Sequence, residues 1–175
     1  AAIYAAYDFG IGTKEIRRTI QTFKPPYSRL EDIGEISGVK IVDDSKGGNN
    51  LATISAVKSF SMPVVLMMGG TRKDISDTEF NDLAEAIVGS TVRSVVIIGK
   101  LKKEIENAIK VAGLKLGRTV PTSKQDSLEA AVNKALTLAQ KGDVFLFSPA
   151  CESFDMFNDY RERTEQFRKI ITSLQ

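Results

Sequence analysis

The sequence predicts an α/β domain: a mostly parallel sheet of about six strands with an antiparallel edge, covered by helices in three layers. Three observations lead there. β-branched apolar runs alternate with amphipathic stretches of helical period along most of the 175 residues, the pattern of strand-helix units in a buried parallel sheet. Near the start, two extended runs are separated only by Ser37-Gly38, which fits a two-residue hairpin turn. Three further segments, Asp43 to Asn49, Gly69 to Lys73 and Ser148 to Phe157, each follow an apolar run. They read as strand-to-helix turns on one edge of the sheet, where open α/β sheets bind ligands.

In chain order, the alanine-rich stretch Ala1 to Phe9 is helical and stops at Gly10-Ile11-Gly12. Thr13 is the expected cap of a second helix carrying Ile16, Ile20 and Phe23 on one face. Lys24-Pro25-Pro26 breaks that pattern and reads as a linker, so residues 1–26 form one unit and 27–175 another. Leu30 to Ile36 and Val39 to Val42 make the hairpin, followed by a helix whose apolar face includes Leu51, Ile54, Val57 and Phe60. Strands are expected at Val64 to Met68, Val92 to Ile98, Arg118 to Val120 and Val144 to Phe147. Helices are expected at Asp77 to Val88, Lys102 to Ala112, Asp126 to Ala139 and Phe154 to Leu174. The whole is Rossmann-like.

Composition narrows the function. Hydrophobic residues make up 42% and charged residues 26%, ordinary globular proportions. A net charge of +2 is too small to suggest a nucleic-acid surface. No stretch has the apolar length to cross a bilayer, and the opening residues lack a basic leader, so a cytoplasmic protein with no membrane partner is expected. The chain has no histidine and one cysteine, Cys151, which excludes Ser-His-Asp and Cys-His machinery and a His-based metal site within it. Free cysteine is usually a small buried hydrophobe, and Cys151 is read that way.

Each of the three turns has a ligand-binding and a plain structural reading. In Asp43-Asp44-Ser45-Lys46 a carboxylate at a strand end suits ribose hydroxyls and a lysine suits phosphate; alternatively, Asp44 and Ser45 make an Asx turn and Lys46 is solvated. Gly69-Gly70 permits positive φ and close approach of a ligand or another segment. Just beyond it, Lys73 suits a substrate carboxylate, or is plain surface charge. In the longest segment, Ser153 and a helix start opened by Asp155 could together hold a carboxylate, or form an elaborate cap. The cluster Lys100, Lys102, Lys103 reads as a solvated face. Arg161, Arg163 and Arg168, alternating with Glu162 and Glu165, read as surface ion pairs.

Taken in order with the linker Tyr27-Ser28-Arg29-Leu30-Glu31, these segments resemble the carboxy-terminal part of the Mur ligase family, most closely its D-glutamate-adding branch. The resemblance implies an ATP-dependent amide ligase of peptidoglycan precursor synthesis, acting on UDP-N-acetylmuramoyl-L-alanine and D-glutamate through an acyl phosphate. It implies that Arg29, Asp44 and Lys46 bind ATP, with Asp44 at the ribose, and that Lys73, Ser153 and Tyr160 bind the incoming amino acid. It places the phosphate loop and the Mg2+ ligands in a preceding central domain, of which residues 1–26 would be the tail and linker. The chain alone is then expected to be inactive, with no catalytic residue or metal ligand of its own, and monomeric. Five positions depart from the family pattern: Ser28 stands for a histidine, Gly47-Gly48 for Ala-Thr, Glu152 for alanine and Tyr160 for phenylalanine. Gly48 removes a hydroxyl that would share the amino acid's α-carboxylate, and Glu152 adds a carboxylate near an anionic substrate. Two other readings remain: a non-catalytic module binding a nucleotide or acidic peptide, and a folylpolyglutamate synthase-like ligase domain.

Overall fold

The computed structural model describes residues 2–24, 26–73, 76 and 78–175. Ala1, Pro25 and Asp77, assigned above to a helix start, the linker and a second helix start, lie outside the described residues. The elements in order are α1 (Ala2–Asp8), α2 (Thr13–Thr22), β1 (Glu31–Ile36), β2 (Val39–Asp43), α3 (Asn50–Lys58), β3 (Val64–Gly69) and α4 (Asn81–Val88). These are followed by β4 (Val92–Ile98), α5 (Lys102–Leu116), β5 (Thr122–Lys124), α6 (Leu128–Leu138), β6 (Val144–Phe147) and α7 (Tyr160–Leu174).

The sheet has six strands in the order β1-β2-β6-β3-β4-β5. β1 and β2 pair antiparallel and every other pair is parallel, so the expected mixed sheet is what forms. Ser37 and Gly38 turn the hairpin with φ of 52° and 83°, both positive as a type I′ turn requires. The pleat then sorts side chains by twos. Leu66, Met68, Val95, Ile97 and Leu146 pack with α3, α4 and α5 on one face, whereas Val65, Met67, Val96, Ile98, Phe145 and Phe147 pack with α6 and α7 on the other. β3, β6 and residues 95–98 of β4 are continuous apolar runs because both their faces are covered. Phe167 of α7 anchors the second layer, with ring centroids 4.7 Å from Phe147 and 5.9 Å from Phe145.

Several boundaries differ from the sequence reading. Gly12, and not Thr13, occupies the cap position of α2, which has no side-chain cap bond. Leu51 is 78% exposed, while Val57 is buried and Ile54 and Phe60 pack against the core as read, joined by Thr53 and Ala56. β5 lies at Thr122–Lys124, beyond the run at Arg118 to Val120. There Arg118 donates to the carbonyls of Val88, Ser90 and Val92, holding the turn before β4. α5 runs past Ala112 to Leu116, where Gly117 closes it in the left-handed conformation. α7 begins at Tyr160, capped by Asp159, so Asp155 does not open it. α1 and α2 bury no residue, and Ile3, Tyr4, Tyr7, Phe9, Ile20 and Phe23 are exposed on them and their flanks.

Candidate functional site

Strand order brings the three turns together. β6 lies between β2 and β3, with Phe147 in register with Asp43 on one side and Met67 on the other. The segments after these three strands, distant in sequence, therefore leave the sheet side by side. Backbone bonds join them: Ala150 N–H donates to Gly47 O at 2.9 Å, and Gly69 N–H donates to Pro149 O at 2.8 Å. Thr71 and Glu152 exchange both bonds of an isolated antiparallel bridge. That approach needs glycine. A Cβ on Gly70 (φ 142°) would lie 2.1 Å from Glu152 O, and one on Gly69 (φ 115°) would lie 2.2 Å from Ile98 O. Here the glycines admit another segment of the chain.

Buried side chains complete the tie. Ser148 Oγ donates to Asp44 Oδ2 at 2.6 Å, which leaves Thr53 Oγ1 as donor to Ser148 Oγ at 2.8 Å. Thr164 Oγ1 donates to Tyr160 O, so Ser45 Oγ donates to Thr164 Oγ1 at 2.6 Å. Asp44 also accepts from Leu30 N–H at 3.2 Å. Burial pushes its carboxyl above the ordinary aspartate range, against the Ser148 and Leu30 bonds that lower it. The Asx turn read at Asp44 belongs to Asp43, whose Oδ1 accepts from Ser45 N–H at 2.9 Å.

Over this network lies a cavity of about 310 Å³, walled by Arg29, Lys46, Gly48, Cys151, Glu152, Ser153, Phe154, Tyr160 and Arg163. Four of the residues singled out in the sequence, Arg29, Lys46, Ser153 and Tyr160, thus share one wall set. The Lys46 ammonium sits 5.7 Å from the centroid of the Tyr160 ring. Ser153 is buried, its carbonyl accepting from Met156 and Phe157 N–H in a single turn. Asp155 instead accepts from Lys100 N–H at 2.7 Å. Two of the six stand apart from the walls. Asp44 lies behind them in the network, and Lys73 is exposed two residues past the bridge to Glu152. Cys151 is buried and its thiol is pushed up to about 12, which leaves it protonated and unreactive at neutral pH.

Of the arginines read as surface ion pairs, Arg163 is interior and Arg168 is half-buried. Arg163 is 1% exposed and donates to Cys151 O at 3.1 Å and Ser45 O at 3.0 Å, so a single guanidinium ties the first turn to the third. Burial lowers its pKa to about 10, still charged at neutral pH. Arg163, Phe167 and Ile171 fall at i, i+4 and i+8, one buried stripe of α7. That spacing was the available signal. Arg168 bridges Asp43 and Glu31. Arg72, also missed, pairs with Glu79 and donates to Ala150 O.

A larger groove of about 740 Å³ runs between α3 and α4, but Phe60 and Thr91 place it near the amino ends of β3 and β4. It gathers none of the three turns. The smaller cavity, with cations, a hydroxyl and a ring converging on it, is the better candidate. Among the described residues no cluster of three His, Cys, Asp or Glu could hold a metal ion, and no helix is long and apolar enough to cross a membrane.

The family model for the Mur ligase glutamate ligase domain matches residues 28–151. The chain is 36% identical over 174 residues to UDP-N-acetylmuramoylalanine--D-glutamate ligase of Caldicellulosiruptor bescii, covering 99% of this chain and 36% of that protein. It is 37% identical over 175 residues to the enzyme of the same name from Nitrosospira multiformis, covering 100% of this chain and 35% of the relative. The chain thus spans about a third of the length of the curated relatives it matches. Among solved structures, MurF from Acinetobacter baumannii superposes with a TM-score of 0.62 at 18% identity over 99% of this chain and 35% of that one. Escherichia coli FolC in complex with ADP does so at 0.54 and 15%, over 93% of this chain and 35% of FolC. Fold, motif order and sequence agree: the chain belongs to the Mur ligase family and carries its carboxy-terminal glutamate ligase domain.

Proposed function

We propose that this domain works within a longer, monomeric, cytoplasmic ATP-dependent ligase that joins D-glutamate to UDP-N-acetylmuramoyl-L-alanine in peptidoglycan precursor synthesis. The observation that carries the reading is the convergence of the turns after β2, β6 and β3 on one cavity walled by Arg29, Lys46, Ser153 and Tyr160. Residues 27–175 would be the substrate domain, and residues 1–26 the tail of a central ATPase domain plus linker. The exposed apolar side chains of α1 and α2 suit packing against the rest of such a domain.

Arg29 and Lys46, exposed cations at the cavity, suit the phosphates of ATP. Asp44 keeps lone pairs beyond those given to Ser148 and Leu30, and these would accept from the ribose hydroxyls. Lys73 and Ser153 would hold the two carboxylates of D-glutamate, with Tyr160 beside them. In such a ligase ATP activates the muramoyl-alanine carboxylate as an acyl phosphate, which the amino group of D-glutamate attacks. The task of this domain would be to deliver the amine in the right orientation, a positioning effect. The Mg2+ ligands would lie in the preceding central domain, as the family resemblance implies.

The test is ADP release and amide formation by the intact protein given ATP, Mg2+, UDP-N-acetylmuramoyl-L-alanine and an amino acid. D-Glutamate should be used well, and L-glutamate and neutral D-amino acids poorly. Turnover with a folate acceptor alone, or nucleotide binding without amide product, would overturn the reading.

A further inference from the structure

The segment leading into β1 is held more tightly than a connecting loop requires. Ser28 N–H donates to Glu31 Oε2 at 2.8 Å, Ser28 Oγ donates to Asp43 Oδ2 at 3.1 Å, and Ser28 O accepts from Lys46 N–H at 3.2 Å. Leu30 N–H donates to Asp44 Oδ1. Ser28 and Leu30, on either side of Arg29, both have positive φ, 58° and 45°. Residues other than glycine keep such angles only where their surroundings over-determine them.

What over-determines them comes from the far end of the chain. Arg168 Nε donates to Asp43 Oδ2 at 2.7 Å and its Nη2 donates to Glu31 Oε2 at 2.6 Å. Its guanidinium lies over Tyr27, 4.1 Å from the ring centroid. The two carboxylates that grip Ser28 are thus both gripped by one planar fork, which a lysine could not reproduce. Asp43 is fully buried and needs that cation. Arg29, at the apex of the strained segment, is exposed and lines the cavity.

We propose that Arg168 is a positioning residue for nucleotide binding: through Asp43, Glu31 and Tyr27 it fixes the backbone that presents Arg29 to the cavity. The inference rests on the reading of Arg29 as a phosphate ligand. A merely structural role would tie α7 to the sheet edge and affect both substrates alike. A positioning role acts through Arg29 alone.

The experiment is steady-state kinetics of the intact ligase with Arg29→Ala, Arg168→Met and the double variant. Arg168→Met should raise the KM for ATP several-fold and leave the KM for D-glutamate unchanged. In the double variant it should add nothing to Arg29→Ala, because coupled residues are not additive. Should Arg168→Met not fold, Glu31→Gln, which keeps the Arg168–Asp43 bond, carries the same test at smaller amplitude. If Arg29→Ala leaves the KM for ATP unchanged, the reading of Arg29 fails and the inference falls with it. If Arg29→Ala impairs ATP use but the Arg168 effect is absent, multiplies with it or falls equally on D-glutamate, the inference alone is overturned.

Discussion

At the carboxyl ends of β2, β6 and β3 the protein buries Asp43, Asp44, Ser45, Ser148, Ser153, Arg163 and Thr164. At the ends of β4 and β5, by contrast, Lys102 pairs with an exposed Asp126 and Lys124 with Glu106. Burying polar groups costs free energy unless each finds a partner. The first end largely meets that requirement with a network drawn from both halves of the chain, Arg163 Nε alone of its guanidinium nitrogens going without a partner, whereas the second pairs its charges at the surface, where water can reach them. A fold needing only stability could have treated both ends as it treats the second. The buried network fixes three turns around a cavity, and that is its physical justification.

The contrast can be broken at either end. Ile97, fully buried in β4, is pure packing, so Ile97→Ala should cost about 2 to 5 kcal/mol. Urea unfolding should register that loss, while the KM values of the intact ligase for ATP and D-glutamate stay as they were. A smaller stability loss with a larger functional one is expected of Arg163→Met. It leaves the Ser45 and Cys151 carbonyls without their donor, roughly 1.5 to 3 kcal/mol as for a hydrogen bond to a charged group. Because it unties the first turn from the third, the KM for both substrates should rise, and unchanged values would remove Arg163 from the account.

Glu152 sharpens the comparison from inside the cavity, where it is the one carboxylate among the walls. Glu152→Ala should lower the KM for D-glutamate by the equivalent of about 1 kcal/mol, the scale of a screened charge pair. A raised KM would mean that Glu152 contacts a cationic group of a different substrate. The smallest expected effect is Glu31→Gln. Arg168 holds the Glu31 carboxyl below the ordinary carboxylate range. A carboxyl whose pKa falls on folding stabilises above its unfolded value, and that contribution is lost as pH falls through the folded value. The stability gap between wild type and variant should be at most about 1 kcal/mol at neutral pH, as for a partly exposed pair. It should close as pH falls below about 4. Urea melts at pH 7 and pH 3 would measure it, and a gap that widens in acid would contradict the pairing.

The strands were legible in the sequence because β3, β6 and residues 95–98 of β4 are short continuous apolar runs, and Ser37-Gly38 announced the hairpin. β5 escaped because Thr122-Ser123-Lys124 is a polar edge strand, next to a run at Arg118 to Val120 that serves a turn. The three turns stood out by composition, but their adjacency depends on β6 inserting between β2 and β3, which no local pattern encodes. The interior position of Arg163 was hidden by the alternation of arginines with glutamates, which mimics a solvated helix face. The apolar stripe through Arg163, Phe167 and Ile171 outweighs that alternation. The α7 start was misplaced because Ser153 to Asn158 forms turns that offer an early aspartate, while the functioning cap is Asp159.

The most direct test is a crystal structure of the intact ligase with ADP and D-glutamate. The amino acid should occupy the cavity beside Tyr160, one carboxylate accepting from the Ser153 hydroxyl and the other facing Lys73, with the ADP phosphates against Arg29 and Lys46. An amino acid bound elsewhere, for instance in the groove between α3 and α4, with the cavity walls untouched, would contradict the account.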